Sequence, residues 1–371
     1  MQIRFAFEVV LALSIINIGF FSAGLLWFTS YNRQANRFLA GLMTAISFWQ
    51  IDGFFRVSGL YRQNAGLYFL PIFYSFAFGP LIYFYVKSLT NSDFRFERKH
   101  WLHFLPVAIQ ALLYIFLTCQ SYEFRNWFWA TVHYPITYSI EFDGSWLSLL
   151  IYLILSLRLL RKYSRYVQEN FSETSRLTLR WLQVLLVILA VVCVQWAVEL
   201  ILRDVFHSFY QYDYSYWLLC LLLIVLGVAG LKQDNLASVQ FKNDAAADSP
   251  INPVKVAIDV NPDHVERIRR AMDVDKLYLN PTLTLTELAQ HVDLNPKVVS
   301  QVINAGIGKS FNDFVNDYRV SEVKQRLRSN DLARLTLLGI ALESGFNSKT
   351  TFNRIFRQHT GQSPSEFAQP D

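Results

Sequence analysis

Apolar and polar positions divide the chain near residue 231. Before it, long uncharged runs recur, and seven windows approach the twenty or so residues a helix needs to cross a bilayer: Phe7–Phe28, Phe38–Leu60, Leu67–Val86, Trp101–Thr118, Ser145–Leu160, Trp181–Ile201 and Tyr212–Leu231. After it, charged residues return, and apolar positions resume helical spacing at about Pro262. The intervening stretch contains NDAAADSP and INPV, short polar runs that favour turns, with a short strand expected at Lys255–Val260. The pattern predicts an all-α protein: a seven-helix transmembrane bundle over residues 1–231, a linker over 232–262 and a soluble domain over 263–371. Pro71, Gly79 and Pro80 interrupt the third window and predict a kink there, because proline removes a backbone hydrogen bond. A cleaved secretory signal is a rival reading for the first window. Its length, Glu8 near its start and the six further windows count against it.

Basic residues in the connections orient the bundle. The first connection holds Arg33 and Arg37, the third Lys87, Arg95, Arg98 and Lys99, and the fifth Arg158, Arg161, Lys162, Arg165, Arg176 and Arg180, twelve in all. The opposite side holds Arg4, Arg62 and Arg125, or five residues with Arg56 and Arg203 at helix ends. Lys and Arg concentrate on cytoplasmic loops, so the N-terminus is expected outside. Seven crossings then deliver the soluble domain to the cytoplasm.

Composition agrees with this division. Hydrophobic residues make up 53% and charged residues 17%, against about 25% charged in an ordinary soluble protein. The net charge of +5 does not by itself imply a nucleic-acid partner, because what matters is where the charge sits. Cys119, Cys193 and Cys220 form no CxxC, which argues against a disulfide framework or a zinc site and for small buried hydrophobes. Asp52 and Arg56 are spaced i,i+4, as are Glu199 and Arg203, with Gln195 one turn before. Charges at membrane depth face a bundle interior or a cavity. These four are the candidate signal-sensing residues; the alternative is structural ion pairs near the outer interface with the arginines snorkelling. Trp127, Phe128 and Trp129, in a connection expected as the outer loop Tyr122–Ala130, read as an interfacial aromatic belt or as a contact for an outside ligand. His100 and His103 flank the fourth window without further ligands at metal spacing, so no metal and no cofactor is expected.

The soluble part hides a repeat. LTELAQHVDLNPKVVSQVI (285–303) aligns with LLGIALESGFNSKTTFNRIF (337–356): Leu288 and Ala289 match Ile340 and Ala341, and Leu294 matches Phe346. After one inserted residue, Val299 matches Phe352 and Ile303 matches Phe356. Each copy reads as helix, tight turn, helix. Thr284 and Glu287 form a capping box, Asn295 precedes an N1 proline, Gly345 supplies the second turn, and Ser348 caps the helix after it. Between the copies Phe311–Ser329 reads as one amphipathic helix with Phe311, Phe314, Val315, Tyr318 and Val323 as its stripe. Helix-turn-helix units insert their second helix into the DNA major groove. The exposed faces of the second helices offer Lys297, Ser300, Gln301 and Asn304 in one copy, and Lys349, Thr350, Asn353, Arg354 and Arg357 in the other. From Lys297 to His359 there are ten Lys and Arg against five Asp and Glu, so basic charge gathers where phosphates would lie.

The stretch IALESGFNSKTTFNRIFRQHTGQSPSEF (340–367) resembles the signature of the AraC/XylS family of bacterial regulators, through Ile340, Ala341, Gly345, Phe346, Ser348, Phe352, Phe356, Gly361 and Pro364. The resemblance covers about residues 263–368. FGPLIYFYVKSLT (78–90) and WLHFLP (101–106) are similar to the membrane halves of such regulators in Bacteroidetes-like bacteria. The family resemblance implies two recognition helices in successive major grooves. It assigns base contacts to Lys297, Ser300 and Gln301, and to Lys349, Thr350, Asn353 and Arg354, with Arg357 on a phosphate. The chain departs from the family before Gly308, where Asn304-Ala305-Gly306-Ile307 is less basic than usual, so phosphate anchoring by the first unit is expected to be weak.

These features imply a multi-pass protein of the bacterial cytoplasmic membrane that regulates transcription. The expected partners are double-stranded promoter DNA, the lipid bilayer, an unidentified small-molecule or envelope signal, a second copy of the chain, and RNA polymerase. The alternative is a membrane transporter or channel with a regulatory cytoplasmic tail, supported by Asp52 and Glu199. An enzyme is not expected, because the sequence shows no nucleophile–base pair, metal cluster or phosphate loop.

Overall fold

A computed structural model describes residues 6–175, 177, 179–206, 214–231, 261–329 and 331–368, so the expected linker and its short strand lie outside the described residues. Among the described residues the chain is helical, without a strand; Phe171 and Thr284 form an isolated antiparallel bridge. Two compact units form: Met1–Arg161 with Leu179–Phe241, and Lys162–Thr178 with Lys242–Asp371.

The first unit is built from α1 (Phe7–Phe28), α2 (Arg33–Val57), α3 (Phe78–Thr90), α4 (Leu105–Thr118), α5 (Tyr122–Phe128), most of α6 (Tyr138–Asn170), α7 (Arg180–Asp204) and α8 (Tyr214–Leu231). Helix α1 packs on α2 and α8, and α2 also packs on α3 and α8. Small residues set these approaches: Gly19 faces Ser47, Gly227 faces Ser22, and Gly53 lies under the Tyr216 ring, where a Cβ would overlap the ring carbons. Such residues let helix backbones come close where lipid supplies no hydrophobic drive.

Much of this unit's outer surface is apolar. On α7, Val184, Val187, Val191, Val194 and Val198 repeat at steps of three or four and are each more than 40% exposed. On α4, Leu105, Ile109, Leu112, Ile115 and Phe116 are likewise exposed. Stripes of this size would cost about 25 cal/mol per Å² in water, whereas lipid tails would cover them without penalty. Among the described residues five helical stretches are long and apolar enough to cross a membrane: Phe7–Phe28, Arg33–Val57, Arg98–Thr118, Tyr122–Asn170 and Arg180–Asp204.

The remaining two windows are shorter. In the seventh, α8 spans the 18 residues Tyr214–Leu231. In the third, the expected kinked helix over Leu67–Val86 gives way to two 3-10 turns, Ala65–Leu67 and Ser75–Ala77, with irregular chain between them, and α3 starts at Phe78 and spans only 13 residues. Pro71 falls in the irregular stretch and Pro80 in the first turn of α3, where proline removes no helical bond. A second difference concerns the expected outer loop Tyr122–Ala130. It is helical as far as Phe128 and continues as a π-helical segment, Trp129–Thr137, into α6.

The second unit contains α9 (Pro262–Asp273), α10 (Leu285–His291), α11 (Pro296–Gln301), α12 (Phe311–Arg328), α13 (Leu337–Glu343), α14 (Lys349–Thr360) and the short α15 (Pro364–Phe367). It has two apolar cores on one shared helix. Phe311, Phe314 and Val315 of α12 pack with Leu288, Ala289, Val299 and Ile303 in the first. Val320 and Val323 pack with Ile340, Ala341, Phe346, Phe352 and Phe356 in the second. Each repeat copy therefore closes its own core, and α12 joins them.

Candidate functional site: two recognition helices and an aromatic cavity

Local chemistry fixes both helix-turn-helix units. Thr284 and Glu287 form the expected reciprocal capping box at the start of α10, with Thr284 N donating to Glu287 Oε2 at 2.8 Å and Glu287 N to Thr284 Oγ1 at 3.2 Å. Asn295 caps α11 by accepting from Lys297 N at 2.9 Å, and Ser348 caps α14 by accepting from Thr351 N at 3.2 Å. The two turns are geometric equivalents. Gly345 has φ +91°, and Asp293, in the matching position of the first copy, has φ +52°. The second turn demands glycine also for space, because a Cβ at 345 would run into the Tyr278 carbonyl oxygen and lie 3.0 Å from Arg319 Nε. The first turn tolerates aspartate, one of the few residue types that visit the left-handed region readily.

These caps and cores leave one face of each second helix outside. On α14, Thr351, Phe352, Ile355 and Phe356 are buried, while Lys349, Thr350, Asn353, Arg354 and Arg357 are exposed. On α11, Lys297 and Gln301 are exposed; Ser300 is half-buried and accepts from Asn304 Nδ2 at 3.2 Å. The predicted contact residues thus share a surface on each helix. The π-helical turn Val302–Ile307 extends the first helix to Gly308, which takes φ +76°. Three further cations of the region are engaged within the unit: Arg326 pairs with Asp331 at 2.7 Å and Glu343 at 2.5 Å, Lys309 pairs with Asp317, and Arg319 is buried. Lys297, Lys349, Arg354 and Arg357 form no ion pair among the described residues and remain available to an outside anion.

One buried polar row escaped sequence reading. Asn312, Asn316 and Arg319 lie on one side of α12, each at most 8% exposed. Arg319 donates to the carbonyls of Tyr278 (2.9 Å) and Asn280 (2.7 Å) and to Ser172 Oγ (3.1 Å). Asn312 Nδ2 donates to the carbonyls of Phe171 (3.1 Å) and Ser172 (2.7 Å), and Ser172 N donates to Leu283 O (3.1 Å). Phe171 and Ser172, which belong to the second unit, are thereby bonded to its helix α12. Burial pushes the Arg319 guanidinium down to about 10, which still leaves it charged at neutral pH.

In the first unit a cavity of about 500 Å³ gathers three of the four candidate sensing residues, Asp52, Arg56 and Glu199. Arg56 donates to Asp52 at 2.6 Å, and Tyr61 donates to the same carboxylate. The expected i,i+4 pairing of Glu199 with Arg203 does not form. Arg203 turns to Asp143 and Asp204, both at 2.6 Å, because these carboxylates sit within reach of its fork. Gln195 Nε2 donates to Glu199 at 3.4 Å. Trp129 lines the cavity, whereas its neighbour Phe128 packs on Phe69. Among the described residues no group of three or more His, Cys, Asp or Glu has metal-binding proximity; His103 Nδ1 instead lies 2.6 Å from Tyr152 Oη.

The class this geometry defines is a tandem helix-turn-helix domain. Residues 288–369 match a family model described as a helix-turn-helix domain. Among curated proteins, the chain is 28% identical over 102 residues to an uncharacterised HTH-type transcriptional regulator of Staphylococcus aureus (strain COL), covering 28% of this chain and 13% of that protein. It is 29% identical over 109 residues to the arabinose operon regulatory protein of Escherichia coli (strain K12), covering 29% of this chain and 36% of that protein. The chain thus spans only a small part of the relatives it matches. A solved structure of a protein of unknown function from Listeria innocua aligns over 28% of this chain and 93% of its own at 24% identity, and its TM-score of 0.25 carries no argument.

Proposed function

We propose that the chain is a membrane-bound, sequence-specific DNA-binding regulator of transcription, controlled by a signal acting on its membrane unit. The observation that carries this is the pair of capped second helices whose outward faces hold exposed Lys297, Lys349, Arg354 and Arg357, none in an ion pair among the described residues, beside Gln301 and Asn353. In this reading Lys297, Ser300, Gln301, Lys349, Thr350, Asn353 and Arg354 read base edges of promoter DNA and Arg357 holds a phosphate. The relatives' printed names, as transcription regulators, support it. The apolar stripes on α4 and α7 support insertion into a membrane. In this reading the chain crosses the cytoplasmic membrane seven times, and the Lys and Arg of its odd-numbered connections put the N-terminus outside and residues 263–371 inside. Residues 1–231 then act as sensor and anchor, and 232–262 as the linker. A second copy bound to an adjacent half-site would raise the local concentration of recognition helices without new contacts. RNA polymerase would meet the bound domain at the promoter.

In this reading the signal would travel along α6. Helix α6 carries the cavity residue Glu141 and leads directly to Phe171 and Ser172, which are bonded to Asn312 and Arg319. A change at the cavity that shifts α6 would act on the helix shared by both helix-turn-helix cores.

Two arginines separate base reading from phosphate anchoring. Arg354→Ala is expected to relax preference at one position of the site, by about 1–3 kcal/mol of discrimination. Arg357→Ala is expected to weaken all sequences alike and to lower the salt slope by about one. Selection from randomised duplexes with each variant checks this; identical selected sites for wild type and Arg354→Ala would remove Arg354 from base reading.

A further inference from the structure

The cavity of the membrane unit forms where the fold departs from regular helix. Phe69 is buried with φ +66°, a conformation that costs a large side chain about 1–3 kcal/mol and persists only when its surroundings enforce it. Thr118 Oγ1 donates to its carbonyl at 2.6 Å, and its ring packs against Tyr114, Trp129 and His133. Opposite it runs the π-helical segment Trp129–Thr137, a rare geometry that concentrates at functional sites. Non-helical backbone in a membrane unit survives where it is buried or lines a cavity, and both segments contribute residues to this one.

The polar groups inside are unequally satisfied. Asp52 has its cation in Arg56. Glu141 has none among the described residues: its Oε2 accepts from Tyr114 Oη at 2.8 Å and from Gln110 Nε2 at 3.4 Å. The Gln110 amide spends its NH2 on Glu141 and leaves its own Oε1 buried without a donor, in a side chain only 4% exposed. A carboxylate without a cation and an amide oxygen without a donor therefore stand side by side. Around them the wall is aromatic, including Phe69, Trp129, Phe142 and Trp196. Aromatic faces attract cations and pack well against rings, and the volume suits a small organic molecule.

From this we infer that the cavity binds an organic primary amine, whose ammonium group donates to Glu141 and Gln110 Oε1 while its apolar or aromatic body fills the ring-lined space. The inference rests on the reading of the membrane unit as a sensor and names the chemistry of its signal. A neutral alcohol of the same shape lacks the charge, a carboxylate has the wrong sign, and a quaternary ammonium lacks the N–H donors.

The test uses the full chain in lipid nanodiscs and follows fluorescence of the cavity tryptophans, Trp49, Trp129 and Trp196. 2-Phenylethylamine, 2-phenylethanol, phenylacetate and phenyltrimethylammonium serve as probes. The amine is expected to give a saturable change and the other three at least tenfold weaker responses, with Glu141→Gln and Gln110→Leu each losing at least tenfold for the amine. Equal responses to the amine and the alcohol in the wild-type protein, which need no variant to fold, would overturn the inference, as would full amine affinity in a folded Glu141→Gln. Promoter occupancy measured in the same discs separates the two claims. Amine binding with unchanged occupancy would overturn control through this site and leave the ligand assignment standing.

Discussion

Gly345→Ala is expected to unfold the second helix-turn-helix unit, at a cost of about 3 kcal/mol or more. Two penalties combine. An alanine at φ +91° pays about 1–2 kcal/mol for the left-handed conformation. Its Cβ must also displace the backbone carbonyl of Tyr278, which already accepts from the buried Arg319, so the turn cannot relax without breaking that bond. Gly361→Ala is the control: φ there is +77°, but a Cβ meets nothing within 4 Å, so only the conformational cost of about 1 kcal/mol remains. Thermal unfolding of the second unit, followed by hydrogen exchange of α14 amides, distinguishes the two. Equal, small effects at both positions would mean that the turn is not packed as described.

Arg319→Ala is expected to be comparably severe, about 3–5 kcal/mol, because truncation strands buried partners and opens a hole beside them. The carbonyls of Tyr278 and Asn280 and the Ser172 hydroxyl would all lose their donor in a site 1% exposed. Ser172→Ala removes one of these bonds and is expected to cost only about 1 kcal/mol. If the fifth connection carries the signal, Ser172→Ala should leave DNA affinity nearly intact while reducing any response to a membrane-side ligand. Denaturant unfolding measures the first effect and promoter occupancy the second. An Arg319→Ala protein as stable as wild type would contradict the buried network.

What the sequence made legible follows from what periodicity records. The first window coincides with α1, and the repeat at 285–303 and 337–356 maps onto α10–α11 and α13–α14, because both signals depend on spacing along one element. The caps at Thr284, Asn295 and Ser348 were equally visible, being local in sequence. Misreadings arose where tertiary context decides. The third window looked continuous because hydropathy is blind to the left-handed Phe69 and to a helix start at Phe78. Trp127–Trp129 looked like a loop because nothing in their spacing announces a π-helical continuation. Asn312, Asn316 and Arg319 were not singled out, since their partners at 171, 172, 278 and 280 are remote or unpatterned in sequence. The cavity could not be foreseen at all. Asp52 and Glu199 were singled out for being charged, but Glu141 and Gln110 acquire meaning only when α6 and α4 bring them together.

DNA affinity of the full chain in nanodiscs, titrated with salt from about 50 to 200 mM, tests the central claim most directly. Specific binding to a promoter duplex is expected, with affinity falling steeply and log-linearly as cations compete for the phosphates, and with replacement of Lys349, Arg354 and Arg357 by alanine flattening the slope. Binding no tighter than to empty discs at the lowest salt, or affinity indifferent to those three side chains, would contradict it.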